Sequence, residues 1–109
     1  MSLDISFTQR RKNICPHCGE ITGYTDVDTI DSGGRVWYPF LEEIGYYIPY
    51  EQRTEENDWY GKDMVLTKEQ TDRAYKFVID NEMYNWFAIR ELIATALLED
   101  DAVVVNADW

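Results

Sequence analysis

Arg11-Lys12-Asn13-Ile14-Cys15-Pro16-His17-Cys18-Gly19-Glu20-Ile21-Thr22-Gly23-Tyr24-Thr25 is the stretch whose reading decides the fold. Two cysteines stand two residues apart and are followed by glycine. The chain leaves them through Ile21, Thr22, Tyr24 and Thr25, residue types that favour sheet. Just upstream, residues 4–8 alternate Ile5 and Phe7 with polar residues, the period-two pattern of a half-buried strand. The whole therefore reads as strand, tight turn, strand, with a CxxC knuckle over about residues 11–25.

Downstream, Asp31-Ser32-Gly33-Gly34 is a turn cluster in which Asp31 or Ser32 can cap a short helix over 36–44, ended by Gly45. Pro39 fits only the first turn of that helix, because proline lacks the N–H that interior positions donate. Residues 46–50 look extended, with Pro49 pushing them to an edge or out of the sheet. Residues 51–63 hold Glu51, Glu55, Glu56, Asp58 and Asp63 without a stable period and read as an exposed loop. Thr67 and Gln70 have the spacing of a capping box, predicting a helix over 68–80 that buries Thr71, Ala74, Tyr75 and Val78. Trp86, Ile89, Ile93, Ala96 and Leu97 recur at helical spacing and predict a second long helix over 84–99. Residues 102–105 are a β-branched run that adds a strand to the N-terminal sheet. The expectation is an α+β single domain over 1–109. Its small antiparallel sheet, formed by the N-terminal CxxC hairpin and the C-terminal strand, packs against two long helices and one short helix.

Composition narrows the function classes. The chain of 109 residues has a net charge of −11, with +2 over residues 1–14 and −13 over the rest. A field of that sign repels phosphate backbones, so direct nucleic-acid binding is not expected. No apolar run approaches the roughly 20 residues of a membrane span, and no secretory signal is recognisable at the N-terminus. The expected setting is cytoplasmic, where a CxxC pair is a metal site, a redox pair or plain thiols before it is a structural disulfide.

Metal binding is the leading reading of Cys15 and Cys18: two cysteines followed by glycine between strands make half of a zinc-ribbon site. A structural zinc takes four ligands. The chain has no other cysteine, and its single histidine, His17, sits between the two. Completion falls either to carboxylates such as Asp26, Asp28 or Asp31, or to the matching pair of a second subunit across a two-fold axis. A knuckle that keeps its shape without metal is a further outcome.

Cys-Pro-His-Cys also resembles the active site of thioredoxin-fold thiol oxidases. In that family the first cysteine lies at a helix N-terminus that lowers its pKa, a role that would fall to Cys15, with Cys18 resolving. Gly19-Glu20-Ile21-Thr22-Gly23 is a poor helix. A hydrolytic pairing of cysteine with His17 has no identifiable orienting group.

Eight of the sixteen aromatic rings lie between Trp37 and Tyr60. Core filling accounts for most of them. Trp59 and Tyr60, in the acidic loop, are the candidates for a surface anchor to a protein partner. The last residue, Trp109, either covers a sheet edge or is offered to a partner.

Ile14-Cys15-Pro16-His17-Cys18-Gly19-Glu20, Asp31-Ser32-Gly33-Gly34-Arg35, Gly45-Tyr46-Tyr47, the run from Tyr50 to Gly61, and the run from Val103 to Trp109 together resemble small uncharacterised CPxCG-type proteins of prophages and conjugative elements of gut bacteria. The resemblance covers nearly the whole chain. It implies a small interaction protein serving a mobile element, and singles out Arg35, Trp59 and Asn106 without assigning them roles. Three functions follow as expectations. The first is a non-catalytic interaction or adaptor protein with a zinc-knuckle half-site. The others are a thiol-disulfide oxidoreductase and an acidic nucleic-acid mimic that inhibits a DNA-binding enzyme.

Overall fold

The structure, a computed structural model, describes residues 3–109. Strands β1 (Asp4–Ile14), β2 (Ile21–Gly33), β3 (Asp63–Val65) and β4 (Ala102–Asp108) form one antiparallel sheet in the order β2-β1-β4-β3. Three helices accompany it: α1 (Tyr38–Glu43), α2 (Lys68–Asp80) and α3 (Trp86–Leu98). The α+β architecture of hairpin, C-terminal strand, two long helices and one short helix is as the sequence predicts.

Alternation decides which face is covered. Ile5, Phe7 and Gln9 of β1 and Val103, Val105 and Ala107 of β4 are buried. All but Gln9 join Trp37, Phe40, Leu41, Ala74, Val78, Ile89 and Ile93 in one core cluster. Asp4, Ser6, Thr8 and Arg10 point to the opposite face, which carries no helix. Arg10 bridges that face, pairing with Asp26 of β2 at 2.8 Å and with Asp63 of β3 at 3.5 Å. The bridge crosses β4, which accounts for the burial of Val104 on a face without helices.

Several expectations need correction. The cluster Asp31-Ser32-Gly33 is strand, not turn, because pairing runs in one register from Gln9 opposite Asp28 to Asp4 opposite Gly33. Neither Asp31 nor Ser32 caps a helix. Ser32 is buried, accepting from Trp37 Nε1 (3.1 Å) and donating to the Tyr84 carbonyl. Gly33 is required by crowding, since a Cβ there would meet the Leu3 carbonyl oxygen at 2.7 Å. The predicted helix over 36–44 is a 3-10 turn (Arg35–Trp37) running into α1, with Pro39 in its first turn.

Residues 51–63 are not loop to the end. Asp63 opens β3, which pairs with β4 and buries Met64. The C-terminal strand runs on to Asp108 and lies inside the sheet, between β1 and β3. Helix α2 has the predicted bounds and capping box, though Tyr75 is only half-buried. Leu97 of α3 is exposed. No helix among the described residues is long and apolar enough to cross a membrane.

Candidate functional site

The hairpin is longer than the sheet that supports it. Strand β1 pairs with β4 only from Asp4 to Arg10, yet pairs with β2 as far as Ile14 opposite Ile21. Residues 11–25 therefore leave the body as a two-stranded arm. Four further residues of strand carry the turn about 13 Å past the last rung of β4, in a molecule 48 Å long.

At the arm's tip the chain turns through Cys15-Pro16-His17-Cys18-Gly19. The Gly19 N–H donates to the Cys15 carbonyl at 2.9 Å, and the Cys15 N–H donates to the Glu20 carbonyl at 2.8 Å. Gly19 closes the knuckle at φ +75°, with nothing within 4 Å of where a Cβ would stand, so backbone conformation and not space selects glycine. The backbone N–H groups of Cys18 and His17, and then the Cys18 side chain, lie toward the Cys15 sulfur and lower its thiol pKa. Both cysteines are free; Cys15 is half-buried and Cys18 exposed. After Cys18 the chain departs as strand, with β2 beginning at Ile21. The helix that activates the attacking thiol in thioredoxin folds is missing here.

The donor set fits half of a tetrahedral thiolate site: two sulfurs on one turn, with backbone N–H groups directed at thiolate. It does not fit a whole one. Asp26 lies opposite Arg10, four residues from Ile14 and so about 13 Å down the ribbon, and is held there by the Arg10 guanidinium. Asp28 projects on the helix side, accepting from the Thr29 N–H, and Asp31 lies further still, opposite Ser6. Among the described residues no three His, Cys, Asp or Glu side chains are grouped to hold a metal ion. The carboxylates expected to complete the site do not reach it.

No family model matches the chain, and neither does any curated protein or solved structure.

The other candidate residues do not converge. Trp59 is half-buried against the core, its ring 6.3 Å from that of Tyr46. Tyr60 is exposed but stands edge-on to Trp109 at 4.9 Å. Trp109 itself packs on Tyr46 and Tyr47 beneath the Arg53 guanidinium, covering the end of the core. Arg35 is exposed at the start of the 3-10 turn and makes no ion pair among the described residues. Asn106 donates to the Gly61 carbonyl and to Asp63, clamping the entry to β3.

The residue that sequence reasoning missed is Asp101. Its nearly buried carboxylate, 4% exposed, accepts from Gln9 Nε2 at 2.7 Å and pairs with Arg11 at 3.0 Å, fastening the base of the arm to the start of β4. Ninety residues separate Arg11 from Asp101, and no local signal in the sequence announces such a contact.

Proposed function

We propose that the protein is a non-catalytic interaction protein of the adaptor kind, and that its arm holds a zinc ion jointly with ligands from a protein partner. The observation that carries this reading is the position of Cys15 and Cys18 at the tip of a ribbon extending past the sheet. Two thiolates fill half of a tetrahedral zinc shell and leave the other half to whatever meets the tip. When bound, the ion supplies a cross-link between chains. Cys15 and Cys18 hold it, and the N–H groups of His17 and Cys18 favour the thiolate that it needs. The partner is expected to be protein, because the chain's −11 charge repels phosphate. A thiol-disulfide role is less well supported, since its attacking thiol would lack the helix dipole that such enzymes use.

The test is a competition titration of Zn2+ against a chromophoric chelator, with reduced protein. Wild type is expected to take zinc from the chelator, and Cys15→Ser and Cys18→Ser to lose that capacity. Insulin reduction should show no turnover. Turnover abolished by Cys15→Ser would sink the reading in favour of the oxidoreductase.

A further inference from the structure

We infer that the chain completing the zinc shell is a second copy of this one, the two arms meeting tip to tip across a two-fold axis with four thiolates on one ion. The inference rests on the metal-binding reading above and adds the identity of the partner. Its first support is the ligand count: this chain offers two thiolates at the tip, no third His, Cys, Asp or Glu side chain among the described residues is grouped with them, Asp26 is engaged by Arg10, and an isologous pairing doubles two to four.

The second support is the arm's own surface. Residues directly opposite in an antiparallel pair project to the same side. Ile14 stands opposite Ile21 and Lys12 opposite Tyr24, on either side of a register shift between Asn13 and Ile14. The arm therefore carries Ile14, Ile21 and Tyr24 close together near its tip, 59%, 51% and 63% exposed. No core lies beneath them. They form an apolar strip beside the thiols, on a two-stranded ribbon of a kind that is marginal in water alone.

The third support is charge. Each body is strongly acidic, so two copies repel wherever bodies approach. The arm itself, with Arg11 and Lys12 against Glu20, carries a net charge of +1. Each arm adds about 13 Å of separation, beyond the screening length of about 8 Å at physiological salt. Contact at the tips alone keeps the acidic bodies apart. Four thiolates around Zn2+ leave a net charge of −2, matched in sign by Lys12 of each arm, which makes no ion pair among the described residues. Binding releases the thiol protons to solvent, two from each chain. Three apolar side chains per copy fall well short of the roughly 800 Å² per partner of a stable interface, so the pairing depends on the metal.

The experiment is native mass spectrometry with light scattering on full-length reduced protein, with zinc salt and then with EDTA. The expected result is a dimer carrying one zinc per two chains, which EDTA returns to monomer. Cys15→Ser and Cys18→Ser should stay monomeric, with far-UV circular dichroism reporting that they fold. Tyr24→Asp, which keeps both thiols, should raise the dimer dissociation constant about tenfold. Two further outcomes separate the two claims. A monomer binding one zinc would overturn the second copy while leaving the metal-binding reading intact, and protein that takes up no zinc would overturn both. A dimer indifferent to EDTA and to Cys15→Ser would overturn the tip-to-tip arrangement.

Discussion

Asp101 is nearly buried and still ionised. Burial pushes its pKa up, but hydrogen bonds from Arg11 and Gln9 and the charges of Arg11 and Lys12 outweigh that effect and hold it below the ordinary carboxylate value. A group whose folded pKa is depressed stabilises the fold above its unfolded pKa, about 3.9, and loses that contribution as pH falls toward the lower folded value. Asp101→Asn should therefore destabilise the protein at neutral pH and flatten the acid limb of its stability-versus-pH curve. Parallel acid limbs for wild type and variant, measured by urea unfolding at several pH values, would show that Asp101 contributes nothing. Tyr46 acts as a second buried polar anchor. Its hydroxyl donates to the Lys62 carbonyl and accepts from the Ala107 N–H at 2.8 Å, and burial raises its pKa. Tyr46→Phe leaves that N–H and carbonyl without a partner where the sheet is dry. It should cost about 1–3 kcal/mol, read as a lower urea midpoint with unchanged slope.

At the scale of elements, legibility in the sequence follows how local each signal is. Helix α2 is readable at both ends because its capping box lies within four residues, with the Thr67 hydroxyl accepting from the Gln70 N–H and the Gln70 side chain from the Thr67 N–H. Thr67→Ala should cost about 1 kcal/mol in a chemical-denaturation midpoint, and no loss would mean that tertiary packing alone fixes that helix start. Strand β3 is unreadable for the opposite reason. Three residues carry no period, and they become strand only because β4, some forty residues on, offers an edge. Ser32-Gly33 reads as turn by composition. It is strand because the Trp37 indole and the Tyr84 carbonyl satisfy a buried hydroxyl. The thiol knuckle was legible from its spacing and its glycine. That it stands clear of the sheet was not, because this depends on β4 being seven residues long where β1 is eleven. Trp59 shows the same limit: the acidic loop around it suggests solvent, while the ring lies against Tyr46.

For the whole molecule, the core divides the chain into a body that holds it and an arm that stands outside it. The core cluster takes no residue from 11–25, so the body's burial energy does not depend on the arm. Replacing residues 11–25 with Asn-Gly joins Arg10 to Asp26, which already face each other, through a two-residue turn that suits the twist of a hairpin. That chain keeps the Arg10 bridge and the bond from Gln9 to Asp101, and loses the charged contact of Arg11. It should retain the near-ultraviolet dichroism of the buried Trp37 and Tyr46 while losing zinc uptake and the metal-dependent dimer together. If it is unfolded, the ribbon is part of the folding unit, and the exposure of Ile14, Ile21 and Tyr24 needs another explanation. If it is folded and still dimeric, association lies in the body, where the acidic field should oppose it, and the arm's apolar strip has a different use.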